Sequence, residues 1–226
     1  MDSFAPGVAS LPRQWHQCAY LLVGQSRLSG YIDWVAGTER RSETASRALD
    51  VAEELTQTRG FNGFSYADIA SRLGVTKAAL HFHFRTKADL GEALIARYTE
   101  RFLAALADID ATVAPSRNRL GAYVEIYRGV LEANRMCLCG MLAAEQATLP
   151  EPMRRGIQEF FEANANWLTS TITAGREAGT LHGSADAADA GRWFVGALEG
   201  SMMLARLQED REAFDRTASM LLDAVA

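Results

Sequence analysis

From about Glu43 onward, apolar residues recur at three- and four-residue intervals, with no sustained apolar–polar alternation. Ala45, Ala48, Leu49, Ala52 and Leu55 make a first helical stripe, and Gly60 stands where that helix should end. Ser65 and Asp68 have the spacing of a capping box, so a second helix is expected from Tyr66, with Ile69, Ala70 and Leu73 facing inward. Gly74 supplies a sharp turn, for which a residue without a β-carbon is suited. Thr76 is placed to cap a short third helix carrying Lys77, Ala78, Leu80, His81 and Phe82. Thr86 and Asp89 repeat the capping-box spacing and open a long fourth helix through about Asp110. Amphipathic stretches follow at about 116–135, 136–148, 152–178, 186–208 and 211–225, with Pro115, Pro150 and Pro152 at their joints. The expected fold is all-α. Residues 1–41 hold Pro6, Gly7, Pro12, Gly24, Gly30 and Gly37 without a lasting period and read as a disordered leader, or as an arm carrying Arg40 and Arg41.

Charge adds a second pattern. The chain has a net charge of -5, yet between Ser71 and Ala88 there is no Asp or Glu, while Arg72, Lys77, Arg85, Lys87, His81 and His83 fall inside. The 23 basic and 28 acidic residues divide as ten against nine over 1–91 and thirteen against nineteen over 92–226, a balance of +1 and then -6. An acidic body with one basic edge is repelled by a polyanion except where that edge faces it. The three cysteines, Cys18, Cys137 and Cys139, are an odd set that argues against a disulfide framework and for a reducing compartment. The run CAYLLVG at 18–24 is too short to span a bilayer and lacks the flanks of a signal peptide. These features predict a soluble, cytoplasmic protein with no membrane partner.

Helix, glycine-containing turn, helix is the arrangement that sets a second helix in the DNA major groove. The acid-free stretch occupies that unit. Lys87, in the first turn of the fourth helix, opposes the helix dipole, and a phosphate there would resolve the conflict. The expected DNA contacts are Thr76, Lys77, Ala78 and His81, with His83 and Lys87 beside them and Ser65 and Tyr66 in support. The segment from about Ala45 to Leu94, with GFNGFSYADIASRLGV followed by TKAALHFHFRTKADL, resembles the DNA-binding domain of the TetR family of bacterial repressors. Thr76, Leu80, His81, His83, Phe84, Lys87 and Leu90 occupy that family's pattern, with His81 where Tyr is commonest. The resemblance implies an all-helical homodimer with a helix-turn-helix domain at 42–91 and a larger effector-binding and dimerisation domain at 92–226. It also implies double-stranded DNA with a palindromic operator and a small-molecule effector as partners.

Within the second half, polar groups on apolar helix faces suggest an effector pocket from Tyr123, Tyr127, Met141, Glu145, Phe160, Asn164 and Trp167. An ordinary core is the competing reading for the tyrosines. CLCGMLAAE, within 136–148, looks like a string from a TetR subgroup, some of whose members respond to electrophiles or oxidants. Cys137, with Cys139 nearby, is therefore a candidate redox sensor, because a thiol in the first turn of a helix has a lowered pKa. A small inert hydrophobe is the alternative, and no metal site is expected from this pair. Trp193, Gly196, Gly200 and Met203 on one line, with Phe214 and Leu221 on the last helix, are the expected dimer interface.

The expected function is a DNA-binding transcriptional repressor released from its operator by a small molecule. A trigger acting on Cys137 is one alternative. A helical enzyme using the C-terminal pocket is another, and a protein-binding module that has lost DNA recognition a third. The chain has no Gly-x-Ser-x-Gly elbow, Walker loop, His-Glu-x-x-His or dinucleotide fingerprint, so no enzyme activity and no cofactor are expected.

Overall fold

The computed structural model describes residues 43–225; the leader expected at 1–41, its Arg40–Arg41 pair and Cys18 lie outside them. Among the described residues there is no strand. The first helix, α1, covers 43–59. Then come α2 (Tyr66–Leu73), α3 (Lys77–His83), α4 (Lys87–Thr112), α5 (Arg117–Glu132), α6 (Leu138–Ala144), α7 (Glu151–Glu177), α8 (Ala187–Leu207) and α9 (Arg211–Val225).

Local chemistry sets the boundaries at the N-terminal end. Ala48, Ala52 and Leu55 of α1 are fully buried, and Gly60 follows with φ +83°. Ser65 accepts from the Ala67 N–H while Asp68 accepts from the Ser65 backbone, so both halves of the expected capping box form. Gly74 takes the left-handed conformation at φ 67° and its N–H donates to the Ala70 carbonyl. A side chain there would be strained, which fixes the turn as tight and glycine-dependent. Thr76 caps α3 through the Ala79 N–H, and Thr86 with Asp89 forms the second box.

Tyr66 holds this unit closed. Its ring is buried, and its hydroxyl lies 2.9 Å from the Phe84 carbonyl and 2.6 Å from that of Thr86. Burial pushes its ionisation up to about 12, so it remains a donor at any physiological pH. The ring also packs against His81, with centroids 4.7 Å apart. The stretch between α3 and α4 is thereby tied to the start of α2.

The 26-residue α4 belongs to both halves of the molecule. Leu90 and Leu94 enter the core beside α1–α3, and Phe102 and Leu106 enter the larger helical body. The expected domain boundary at 91/92 thus falls inside a continuous helix. In the larger body α7 pairs most extensively with α8, and α8 next with α9. Gly191 permits the α7–α8 approach: a β-carbon there would stand 3.0 Å from the Ala165 carbonyl oxygen and 3.0 Å from Thr169 Oγ1.

The core of this body is aromatic. Phe102 lies 5.0 Å from Phe160 and 6.1 Å from Tyr123, and Tyr123 stacks on Trp167 at 5.5 Å. Phe214 and Leu221 of α9 are also inside, at 1% and 3% exposure. No helix among the described residues is long and apolar enough to cross a membrane.

Tyr66→Phe removes the donor from two carbonyls and leaves the ring in place. It should cost roughly 1–3 kcal/mol of unfolding free energy, the range for stranding a buried polar group, as read by urea denaturation.

Candidate nucleic-acid interface and effector cavity

Once Leu80 is buried at 1% exposure, α3 presents the rest of its surface to solvent. Thr76, Lys77, Ala78 and His81 are exposed, and so is Phe82, at 64%. Ser65 is exposed one helix earlier. His83 is half-buried, its ring edge-on to Phe82 and tilted against Phe84. His81 Nδ1 lies 3.1 Å from the Arg85 carbonyl, which orients the ring. The outcome is an acid-free face of one lysine, histidines, a hydroxyl and an apolar ring. Such a set can donate to phosphates and base edges and can touch a thymine methyl. Phe82 was passed over in the sequence; its period-breaking position on a face otherwise polar was the available signal.

Two expected contacts behave differently. Tyr66 is a strut of the unit, as its burial shows. Lys87 turns inward: its Nζ donates to the carbonyls of Phe61 and Phe64 and sits over both rings, 4.6 and 4.3 Å from their centroids. Burial pulls its pKa down, partly countered by the nearby Glu145. The carbonyls in the turn after α1 compete with any phosphate for this ammonium, and they are already in contact. Arg72, also in the acid-free stretch, is drawn back onto Glu54 at 2.7 Å.

The expected effector pocket divides into three parts. Tyr123, Tyr127, Phe160 and Asn164 are core, joined by hydrogen bonds: Tyr123 donates to Asn164 Oδ1 at 2.8 Å, the two phenols lie 3.2 Å apart, and Asn164 Nδ2 donates to the Phe160 carbonyl at 3.0 Å. Trp167 covers Tyr123 and donates to Asp110 at 2.9 Å. These aromatic rings pack against one another and against Phe102. Glu145 is elsewhere altogether. Its Oε2 accepts from the Asn62 N–H at 3.1 Å and from Asn62 Nδ2 at 3.3 Å, in the turn between α1 and α2. Met141 alone of the seven lines a cavity of about 400 Å³ between α6, α7 and α8. Met136, Gly140, Phe161, Val195, Gly196, Glu199 and Met203 are among the other residues of its wall.

Cys137 is the N-cap of α6, with the Gly140 N–H donating to its Sγ at 3.5 Å. The helix terminus does not produce a reactive thiolate there. Both Cys137 and Cys139 are buried, and burial with the nearby Glu199 carboxyl pushes each thiol well above its usual range. The lowered pKa expected of Cys137 is thus outweighed by desolvation. Among the described residues no group of three or more His, Cys, Asp or Glu is placed to hold a metal.

On α8, Trp193 and Met203 are exposed at 49% and 60%, and Leu204 and Leu207 extend the apolar surface. Gly196 and Gly200 on the same line have nothing within 4 Å of an added β-carbon. Met220 is the exposed large residue of α9, at 72%. Phe214 and Leu221, expected on this surface, face inward because α9 needs that stripe to pack within the chain.

Comparison with known proteins agrees with this geometry. Residues 48–94 match the model for bacterial regulatory proteins of the tetR family, and residues 116–221 match the tetracyclin repressor-like C-terminal domain. The transcriptional regulator CymR of Pseudomonas putida is 26% identical, over 82% of this chain and 90% of its own length. The transcriptional activator FasR of Mycolicibacterium smegmatis is 30% identical, over only 41% of this chain and 42% of that protein. A TetR-family regulator from Agrobacterium tumefaciens has the same fold, with a TM-score of 0.79 and 28% identity, over 82% of this chain and 99% of that one. With both halves matched by the two models, this chain belongs to the tetR family of bacterial regulatory proteins and is a DNA-binding transcriptional regulator.

Proposed function

We propose that the protein is a homodimeric repressor that holds a two-fold operator through α3 and is released by a small molecule bound in its helical body, with the DNA-binding domain at 42–91 and the effector and dimerisation domain at 92–226. The observation that carries this reading is the outward face of α3. Thr76, Lys77, Ala78, His81 and Phe82 stand exposed on a helix whose start, end and underside are fixed by Thr76, Tyr66 and Leu80. A helix so supported can enter a groove without rearranging. Lys77 is the base- and phosphate-seeking cation, His81 is a phosphate donor through Nε2 in its imidazolium form, Ser65 stands beside them at the start of α2, and Ala78 and Phe82 are apolar contacts. Lys87 supports the reading surface from behind.

The exposed line of Trp193, Gly196, Gly200 and Met203 supports dimerisation through α8. Its two glycines leave open surface against which a second helix can lie closely. Two copies related by a two-fold axis would place two α3 helices on successive half-sites. The DNA flanking the protein's own gene is the first operator to test, at two salt concentrations, and specific, salt-sensitive binding by a dimer is the expected result.

Three variants test the assignments. Lys77→Ala should weaken operator binding across sequences and reduce the slope of log affinity against log salt by about one, as measured by fluorescence anisotropy. Lys87→Ala should instead lower the melting temperature, by an amount matching ~1–3 kcal/mol for the carbonyls left without their donor, with an unchanged salt slope in the folded fraction. A reduced slope with normal stability would return Lys87 to the DNA surface. Met203→Asp should produce monomers in analytical ultracentrifugation and abolish binding to a two-half-site operator, while the helical circular dichroism stays native.

A further inference from the structure

The cavity between α6, α7 and α8 has an apolar wall interrupted by two charged residues, Arg192 and Glu199. The two are not equivalent. Arg192 is exposed and pairs with Asp189 at 2.5 Å. Glu199 Oε1 is enclosed and accepts no hydrogen bond. Its other carboxylate oxygen lies directly against Gly140, where any β-carbon would collide with it. The titratable groups facing Glu199 are Tyr98 on α4, Tyr123 and Tyr127 on α5, and Cys137 and Cys139 on α6, all neutral at physiological pH. The face of α7 on the cavity contributes Phe161 and Ala165. A carboxyl in the wall of an apolar cavity, one of its oxygens without a hydrogen-bond partner, is a costly arrangement unless a ligand completes it.

We propose that this cavity is the effector site and that it takes a compact apolar molecule ending in an ammonium group, received by the Glu199 carboxylate. The proposal rests on the ligand-controlled reading above and names the class of ligand. A molecule bearing a carboxylate or phosphate would set two like charges in a water-poor space. An ammonium there pairs with the Glu199 carboxylate and leaves its apolar part against Met136, Met141, Phe161 and Val195.

Protonation gives the proposal a signature. Burial lifts the free Glu199 carboxyl to about 7. An adjacent ammonium favours the ionised form and so pulls that value down. Ammonium binding is therefore full strength above neutral pH and weakens as pH falls, because a proton must be displaced.

Phenylbutylamine, phenylbutanol and phenylbutyrate share a skeleton and differ only in head group. Titrated calorimetrically into the whole protein at about pH 8, the amine should bind roughly tenfold or more tighter than the alcohol, and the butyrate weakest of the three. Amine affinity should fall by about tenfold per unit of pH below neutrality in the wild type. Glu199→Gln should erase both the head-group preference and the pH slope. Butyrate binding as tight as the amine, an absence of amine binding, or an amine preference that survives Glu199→Gln overturns the proposal. The wild-type ranking and pH slope stand without the variant, should it fold poorly. Operator binding followed in the same samples separates the two readings. DNA binding without an amine response removes the ammonium site and leaves the regulator, whereas loss of all DNA binding removes the regulator reading as well.

Discussion

The carbonyl end of α1 is where the two halves of this protein meet. A helix leaves its last carbonyls without partners, and they must be satisfied from outside. Here the partners come from the larger helical body. The Met136 N–H donates to the Gln57 carbonyl at 3.1 Å, and Arg206 of α8 donates to the carbonyls of Gln57 and Thr58, each at 2.9 Å. Just beyond, Glu145 holds Asn62, whose side chain also donates to Thr148 at 2.8 Å. Lys87 fills the remaining carbonyls of that turn, those of Phe61 and Phe64. The placement of α2 and α3 therefore depends on groups that belong to α4, α6 and α8. A lone helix-turn-helix would have these carbonyls open.

A second set of polar groups organises the body itself. Tyr98 on α4 reaches Cys137 at 3.9 Å, and the Cys137 thiol and Tyr127 hydroxyl both lie within hydrogen-bonding reach of Glu199 on α8. Tyr127 meets Tyr123, and Tyr123 donates to Asn164 on α7. Five helices are thus joined through one buried chain, in which every side chain but one carboxylate oxygen has a partner. Buried polar networks of this kind specify a single packing when satisfied and cost heavily when they are not. Glu199 itself is also a residue of the cavity wall.

What was legible in the sequence was local. Ser65 with Asp68, Thr86 with Asp89, Gly60, Gly74 and Thr76 act within a few residues of themselves, and each helix boundary they predict is present. The exposed face of α3 was legible for the same reason, since exposure on a short helix follows from its period. The reach of a side chain across the fold was not legible. Lys87 has the spacing of a phosphate contact, but its ammonium meets carbonyls more than twenty residues away. Glu145 sits on an apolar line, yet its partner is Asn62. The tyrosine stripe of α5 reads equally well as pocket or core, and only the opposing rings of Phe102, Phe160 and Trp167 decide for core. Glu199 lay in a stretch read for its glycines, and nothing in its neighbours foretold an enclosed carboxyl. Phe214 and Leu221 show the limit of a stripe: periodicity identifies a face, not what covers it.

These two sets of contacts share one short element. Met136 lines the cavity with its side chain and holds the end of α1 with its backbone N–H. Gly140 and Met141 line the same cavity, and Glu145, at the C-terminal end of α6, grips Asn62. Seven residues of helix, with two residues before it and one after, therefore touch both the cavity and the turn that positions α2 and α3. A molecule seated against Met136 and Met141 cannot displace α6 without moving the acceptor of Asn62 or the donor to Gln57. Of the cavity's walls, α7 and α8 are packed closely together at Gly191, and the α5–α7 interior is filled by rings. A shift of α6 would therefore reach α2 and α3 through the hydrogen bonds at the end of α1, with α4 as the helix the two halves share.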